Sequence, residues 1–180
     1  MGKYAGLLML LLAGCAAEGP PLQLARQVDL ERYYGRWYII AEIPYFGERG
    51  NVGATVEYAA LPDGRIGDIY DAREKTFDGK PVHMVLEDYV VEGSNNALWR
   101  VKLFWPVFVS YPILDVDPAY RVSLVGYPDR SLGWVFARTP RLDDATYAAA
   151  MGKFAAQGYD VTQFRKVAQF PDQIGQPGFE

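Results

Sequence analysis

Cysteine and histidine are almost missing from this chain, which has one of each, Cys15 and His83. A single cysteine cannot form an intramolecular disulfide. One cysteine and one histidine also fall short of the ligand set of a conventional zinc site. The residues therefore predict no metal and no cofactor bound through such ligands, and the fold must be stabilised by its core.

Clusters of positive charge are also missing. No run of Lys or Arg is longer than a pair, and the formal net charge is −4. A protein that binds nucleic acid through its phosphates needs a basic surface, so this composition gives no case for a nucleic-acid partner.

Aromatic and apolar residues are abundant. The 180 residues are 50% hydrophobic and 14% aromatic, with 13 Tyr, 9 Phe and 4 Trp. This length predicts one domain with a substantial core. The aromatic content favours strands over helices and is more than a small core needs, which indicates a lined pocket.

The first residues have the pattern of a targeting signal. Lys3 is followed by an apolar run over residues 7–12, which is too short to cross a bilayer as a helix. The sequence Leu-Ala-Gly-Cys that ends at Cys15 resembles the lipobox of bacterial lipoproteins. The resemblance implies a signal peptide over residues 1–14 and lipidation of Cys15, and Ala16 after it implies the outer membrane, facing the periplasm. Residues 15–27 then form a tether, while an ordinary signal peptide stays open as the alternative.

Short alternating segments separated by turn residues predict eight strands, over residues 35–43, 54–60, 65–72, 82–91, 98–104, 109–116, 120–126 and 132–138. This spacing is typical of an antiparallel sandwich or barrel. Charged residues on the strand faces leave no continuous band for lipid, which argues against a transmembrane barrel. Residues 142–157 predict a helix capped by Asp143, residues 161–167 a last short strand, and residues 172–180 a loose tail.

The alternation of charged and apolar residues predicts which side chains face inward. Within the strand over residues 98–104, Arg100 and Lys102 face water and their neighbours face the interior. The small side chains of Ala41 and Ala54 favour a cavity, and a packed core without a ligand stays open. The predicted ligand-lining set is Ile39, Ala41, Val56, Tyr58, Trp99, Val101, Leu103, Tyr111, Ile113, Trp134 and Phe136. The Tyr111 hydroxyl can donate to the carboxylate or phosphate of a ligand head group, and a core Tyr bonded to a neighbouring carbonyl stays open as the alternative.

Three ordered motifs resemble those of the lipocalin family: Gly35-Arg36-Trp37-Tyr38, Gly126-Tyr127-Pro128-Asp129-Arg130, and Trp134-Val135-Phe136-Ala137-Arg138-Thr139-Pro140. The resemblance implies an all-β fold over residues 28–171. It is an eight-stranded antiparallel up-and-down β-barrel, with a C-terminal α-helix packed outside and a short final strand. It also implies that Arg138 packs on Trp37 as a structural closure, not as a ligand contact.

Similarity to the outer-membrane lipoprotein branch of that family implies binding of fatty acids or lysophospholipids, in membrane maintenance or stress. This reading predicts a binding protein and no enzyme, and it leaves homodimerisation open. Two other classes stay open. A lipid-modifying enzyme is weakened because Cys15 is assigned to the anchor and His83 has no nucleophile predicted beside it on an inner face. A filled barrel that acts only through protein contacts is the second.

Overall fold

The computed structural model describes residues 20–179 and forms one antiparallel barrel. Strands β1 to β8 follow one another around it, and β1 pairs with both β2 and β8, which closes the sheet. A short helix α1 (Leu30–Tyr33) precedes the barrel, while helix α2 (Asp144–Ala156) and strand β9 (Arg165–Lys166) lie outside it. The strands are Gly35–Ile43, Asn51–Ala60, Ile66–Glu74, Pro81–Val90, Leu98–Phe104, Val107–Val116, Val122–Gly126 and Gly133–Ala137. The predicted fold is thereby confirmed.

The up-and-down order gives the barrel two different ends. The loops β1–β2, β3–β4, β5–β6 and β7–β8 share one end, which we call the mouth. Helix α1 and the other three hairpin loops share the closed end, where the Val28 amide donates to the Asn95 carbonyl at 3.0 Å. No helix in residues 20–179 is long and apolar enough to span a bilayer.

The apolar residues separate into an inner and an outer cluster. The inner cluster fills the barrel and includes Trp37, Tyr58 and Trp99. The outer cluster lies between the sheet and α2, where Ala150 and Phe154 of the helix are buried. Helix α2 begins as predicted, because the Asp143 carboxylate accepts from the amide of Thr146 at 2.8 Å.

A β-bulge in β1 changes which side chains face inward. The register against β8 runs Ile39–Phe136 and then Ala41–Val135, so Ile40 is an extra residue on the β1 side. Beyond the bulge Glu42 is opposite Trp134, which belongs to the inner cluster. Alternation from Trp37 predicts the reverse, with Ala41 inside and Glu42 outside. That prediction is wrong, because one inserted residue inverts a period of two.

Both termini of the described chain pack more closely than the sequence predicts. Residues 20–27, predicted as part of a tether, lie on the barrel, where Ala25 N donates to Ile113 O at 2.9 Å. The segment predicted as a last strand contains a 3-10 turn and only two strand residues. In the predicted loose tail, Gly178 O accepts from Lys166 N at 2.8 Å. The predicted signal peptide and Cys15 lie outside the described residues.

Candidate ligand-binding site

The closed end is built around Trp37 and Arg138. The guanidinium lies over the indole, 3.7 Å from the ring centroid, as the sequence predicts. Its nitrogens donate to five backbone carbonyls, those of Arg32, Tyr33, Tyr34, Arg36 and Tyr120. The Trp37 Nε1 donates to Tyr33 O at 2.8 Å. Stacking and hydrogen bonding therefore join α1 to β1 and β8.

Above this closure the barrel holds a packed aromatic floor, defined here as Tyr33, Trp37, Tyr58 and Trp99. Ring centroids of neighbouring members are 5.0 to 5.6 Å apart, the range of favourable aromatic pairs. Tyr33 donates or accepts a 2.9 Å hydrogen bond with Ser123 Oγ, so its hydroxyl is satisfied despite complete burial. We call the part of the interior between this floor and the mouth the lumen.

Most of the predicted lining residues belong to the inner cluster: Ile39, Val56, Tyr58, Trp99, Tyr111, Ile113, Trp134 and Phe136. Val101 is buried and pairs with Asp88 of β4, on the inward face. Two residues lie elsewhere. Ala41 packs in the outer cluster because of the bulge, and Leu103 is 47% exposed near the end of β5, where the register shifts. Several inner residues, such as Trp99, are too tightly packed to face open space.

Inward residues that remain partly exposed and line the lumen include Val82 and Met84 of β4 and Tyr111 of β6. The hydroxyl of Tyr111 bonds to that of Tyr58 at 2.6 Å, so its partner is a hydroxyl and not the carbonyl that the sequence left open. The Tyr111 ring lies between Trp99 and Trp134, with centroids 6.0 and 5.8 Å away. The lumen wall is therefore aromatic, with one hydroxyl pair near the floor.

The β1–β2 loop places polar groups inside the mouth. Glu48 is buried, and both of its carboxylate oxygens accept from Trp134 Nε1 at 3.2 Å. Asn51 Nδ2 donates to Tyr70 Oη at 2.9 Å and to Gly47 O at 3.1 Å. These contacts hold the loop against β3 and β8, so the upper wall is polar as well as aromatic.

Two inward carboxyl groups near the floor were missed by the sequence reasoning. Asp68 of β3 lies between Ile66 and Tyr70 on the inward face of that strand. Asp88 of β4 shares the inward face of its own strand with Met84. Both side chains are buried, and neither oxygen of Asp88 has a hydrogen-bond partner among the described residues. The signal was present, because strict alternation places both residues on the apolar face.

Burial changes the acidity of this pair, since a carboxylate loses its hydration inside the barrel. Desolvation raises the pKa of Asp68, and desolvation together with the charge of Asp68 raises the pKa of Asp88. Desolvation also raises the pKa values of the Tyr33, Tyr58 and Tyr111 hydroxyls that surround the pair. The pair therefore retains protons at pH values where an exposed pair would be fully ionised.

His83, considered above for a lipid-modifying enzyme, lies outside the lumen. It is exposed on β4, and its Nδ1 is 2.7 Å from Asp71 Oδ1 on the neighbouring strand. Residues 20–179 contain no group of three or more His, Cys, Asp or Glu side chains able to hold a metal ion. The chemistry of the interior thus comes from aromatic rings, tyrosine hydroxyls and carboxyl groups.

A closed eight-stranded barrel with a stacked Trp–Arg closure, an outer helix and an aromatic lumen defines the calyx class of small β-barrels. The chain belongs to the lipocalin family, since the model of a lipocalin-like domain matches residues 28–169. It is 30% identical over 161 residues to temperature-induced lipocalin-1 of Arabidopsis thaliana, covering 84% of this chain and 85% of that one. It is 28% identical to the outer membrane lipoprotein Blc of Escherichia coli, covering 88% and 90%.

Solved structures of distant sequence share this fold. Insecticyanin of the tobacco hornworm Manduca sexta superposes with a TM-score of 0.67 at 16% identity, over 87% of this chain and 88% of that one. Apocrustacyanin C2 superposes with a TM-score of 0.65 at 15% identity, over 84% of this chain and 91% of that one. At these identities the likeness concerns the barrel alone, so the lumen must be interpreted from its own residues.

Proposed function

We propose that this protein binds a small hydrophobic molecule in the lumen, most simply the acyl chain of a fatty acid or lysophospholipid, and stores or transports it. The observation that carries the proposal is a group of apolar inward residues above the filled floor that pack against the inner cluster and still stay partly exposed. Lipocalins are in general binding proteins, and the exposed position of His83 offers no catalytic group to the lumen.

The energetics suit reversible binding. Burying an acyl chain of about fifteen carbons at ~0.8 kcal/mol per CH₂ contributes roughly 12 kcal/mol before costs. Association and ordering remove a large part of this, which leaves a dissociation constant on the order of micromolar. Such a value suits a carrier that must release its ligand.

Uptake of a fluorescent fatty acid by delipidated protein tests the proposal. We expect saturable binding with one site, and mass spectrometry of the freshly purified protein should find a lipid. Matched variants separate lumen from surface: Val82→Trp fills a partly exposed inner position, and Val85→Trp changes an exposed one on the same strand. Failure of the wild-type protein to bind, or equal binding by both variants, would support the filled-barrel interaction protein instead.

We further propose that lipidated Cys15 anchors the protein to the outer membrane with its mouth toward the lipid. The carbonyl of Pro20 accepts from Arg130 in the β7–β8 turn, so the described chain begins at the mouth. Cys15 precedes Pro20 by five residues, a span of roughly 17 Å at most. Phe46 and Trp105 of the mouth loops and Phe104 at the end of β5 are exposed, and we call these three residues the rim. Exposed aromatic side chains of this kind favour the membrane interface.

Vesicle flotation tests this orientation in two steps. The full chain expressed in bacteria should fractionate with outer membranes, and Cys15→Ser should release it. For the protein without lipid, phospholipid vesicles should quench or shift Trp105 fluorescence, and Phe46→Ser with Trp105→Ser should weaken binding several-fold. Ile174→Ser, at an exposed apolar residue outside the mouth loops, is the matched control. Equal flotation of rim and control variants would contradict the orientation.

A further inference from the structure

The buried ionisable groups of the barrel all have the same sign. Among residues 20–179, the buried charged side chains are Glu42, Glu48, Asp68 and Asp88, and none is a Lys or Arg. Three of them lie on inward strand positions and Glu48 reaches the inner residue Trp134. An interior that serves only to hold fatty chains needs no carboxyl groups, and each one costs free energy to bury unless it is neutralised.

Asp68 and Asp88, which we call the acid pair, are the sharpest case. They are diagonal neighbours on the inner faces of β3 and β4, because Ile66 is opposite Asp88 and Asp68 is opposite Leu86. Both oxygens of Asp88 lack a hydrogen-bond partner, and the ion pairs of residues 20–179 include neither aspartate. The pair therefore has unused hydrogen-bonding capacity that points into the barrel.

The groups that face the acid pair leave only two ways to neutralise it. Among the described residues, the titratable neighbours are Tyr33 of α1, Tyr58 of β2, Tyr111 of β6 and Tyr45 of the β1–β2 loop. Burial keeps all four hydroxyls neutral by raising their pKa values. Neutralisation must then come from protons or from a cation brought by the ligand. The ring of Tyr111, which stays partly exposed, favours the second, since π-systems attract cations as carboxylates do.

We propose that the acid pair is a subsite for the basic nitrogen of an amphiphilic amine, a proposal that rests on the lumen being the ligand site. Asp68 keeps 7% of its surface exposed and Asp88 none, so Asp68 makes the first contact and Asp88 lies behind it. The ammonium N–H groups donate to carboxylate oxygen, and a proton held by the pair leaves to solvent. The charge of the site is unchanged by this exchange, and the alkyl part of the ligand occupies the apolar lumen.

Three probes of equal chain length test the proposal: dodecylamine, dodecanol and dodecanoate, titrated at pH 7.5 while the fluorescence of the lumen tryptophans is followed. A charge-assisted hydrogen bond should favour the amine over the alcohol by about 10- to 100-fold. Dodecanoate should bind no better than the alcohol. In Asp68→Asn and in Asp88→Asn the amine preference should fall to a few-fold or less, while affinity for the alcohol stays the same within about threefold.

Glu87→Gln is the matched control, because Glu87 is adjacent to Asp88 but pairs outside with Arg65 and Lys102. It should keep the amine preference. A preference that survives in both asparagine variants, or an alcohol that binds as tightly as the amine to wild type, overturns the subsite. In the second case binding of the alcohol still supports the lumen as ligand site. If none of the three probes binds, the proposed function itself fails.

A measurement on the wild-type protein needs no variant. Calorimetry of dodecylamine binding in phosphate and in Tris, whose ionisation enthalpies differ, should show release of a proton to the buffer. Dodecanol should release none. Equal apparent enthalpies for the amine in the two buffers would mean that no proton is displaced from the acid pair, which would overturn the proposed exchange.

Discussion

The closed end and the lumen of this barrel differ in whether their buried polar groups have hydrogen-bond partners. At the closed end Arg138 donates to five carbonyls, and Trp37 and Tyr33 each have a hydrogen-bond partner. In the lumen both oxygens of Asp88 have none among the described residues. Satisfied groups fix a structure, while an unsatisfied buried group costs stability and needs another reason to be present. The comparison separates residues that hold the barrel from residues available to a ligand.

Removing Arg138 breaks the closed end and should have the largest effect. Arg138→Ala leaves several carbonyls without their donor and removes the stack on Trp37, so we expect a loss of about 3–5 kcal/mol in the free energy of unfolding. For a domain of this size that lowers Tm by about 10 °C. Arg138→Lys should recover less than half, because an ammonium cannot reproduce the planar fork. A melting temperature equal to wild type would contradict the structural role, as would a changed order of ligand preference.

Enlarging Ala41 tests the boundary between the lumen and the outer cluster. Ala41→Leu should crowd the layer under α2 and lower stability by about 1–3 kcal/mol, with ligand affinity unchanged. Val82→Trp should do the reverse, reducing ligand affinity with a smaller loss of stability, because its site is partly open. Thermal melts and the fatty-acid assay on both variants decide the point. Loss of ligand binding in Ala41→Leu would show that Ala41 lines the lumen.

Replacing Asp88 by a neutral residue should have the smallest effect on the free energy of unfolding, and we expect it to increase stability. Its folded pKa is raised, so the native state keeps a proton that the unfolded chain loses above about pH 4. The contribution of Asp88 to stability is full below that pH and is lost as pH rises through the raised folded pKa. Asp88→Asn should therefore increase the free energy of unfolding at pH 8.5 by about 1 kcal/mol, which raises Tm by a few degrees. At pH 5.5 the change in Tm should be smaller.

Glu87→Gln again serves as the control, because the pKa of Glu87 is lowered by its hydrogen bonds to Lys102 and Arg65. Removing that charge should not stabilise the protein at pH 8.5. An Asp88→Asn variant that is less stable than wild type at every pH would show that the Asp88 carboxylate has a stabilising partner in the native state.

The sequence predicts the barrel better than it predicts the lumen. The strands at 35–43 and 98–104 have the bounds expected, because motif residues and alternating charges define them locally. The closure by Arg138 also follows from a motif. The bulge at Ile40 leaves no trace in the alternation, since large apolar residues occupy positions 39, 40 and 43 alike. Asp68 and Asp88 follow from alternation alone, but charged residues were assumed to face water.

Packing outside the barrel was the least predictable part. Residues 20–27 have the composition of a linker, yet Gln23 and Gln157 exchange two hydrogen bonds across 134 positions of sequence. The tail beyond residue 171 is rich in Pro and Gly and still returns to β9. Both segments are held by long-range partners that no local pattern contains.

The bulge at Ile40 sets the face of every later position in β1. Deleting that one residue would remove the bulge and leave the pairs Ala41–Val135 and Glu42–Trp134 unchanged, because regular alternation from Ile39 then places Ala41 outside and Glu42 inside. Pairing the full strand without a bulge would instead place Glu42 in the apolar layer beneath α2 and turn Ala41 and Ile43 toward the lumen. The charge near the mouth is therefore encoded in the number of residues along β1 as much as in their identities.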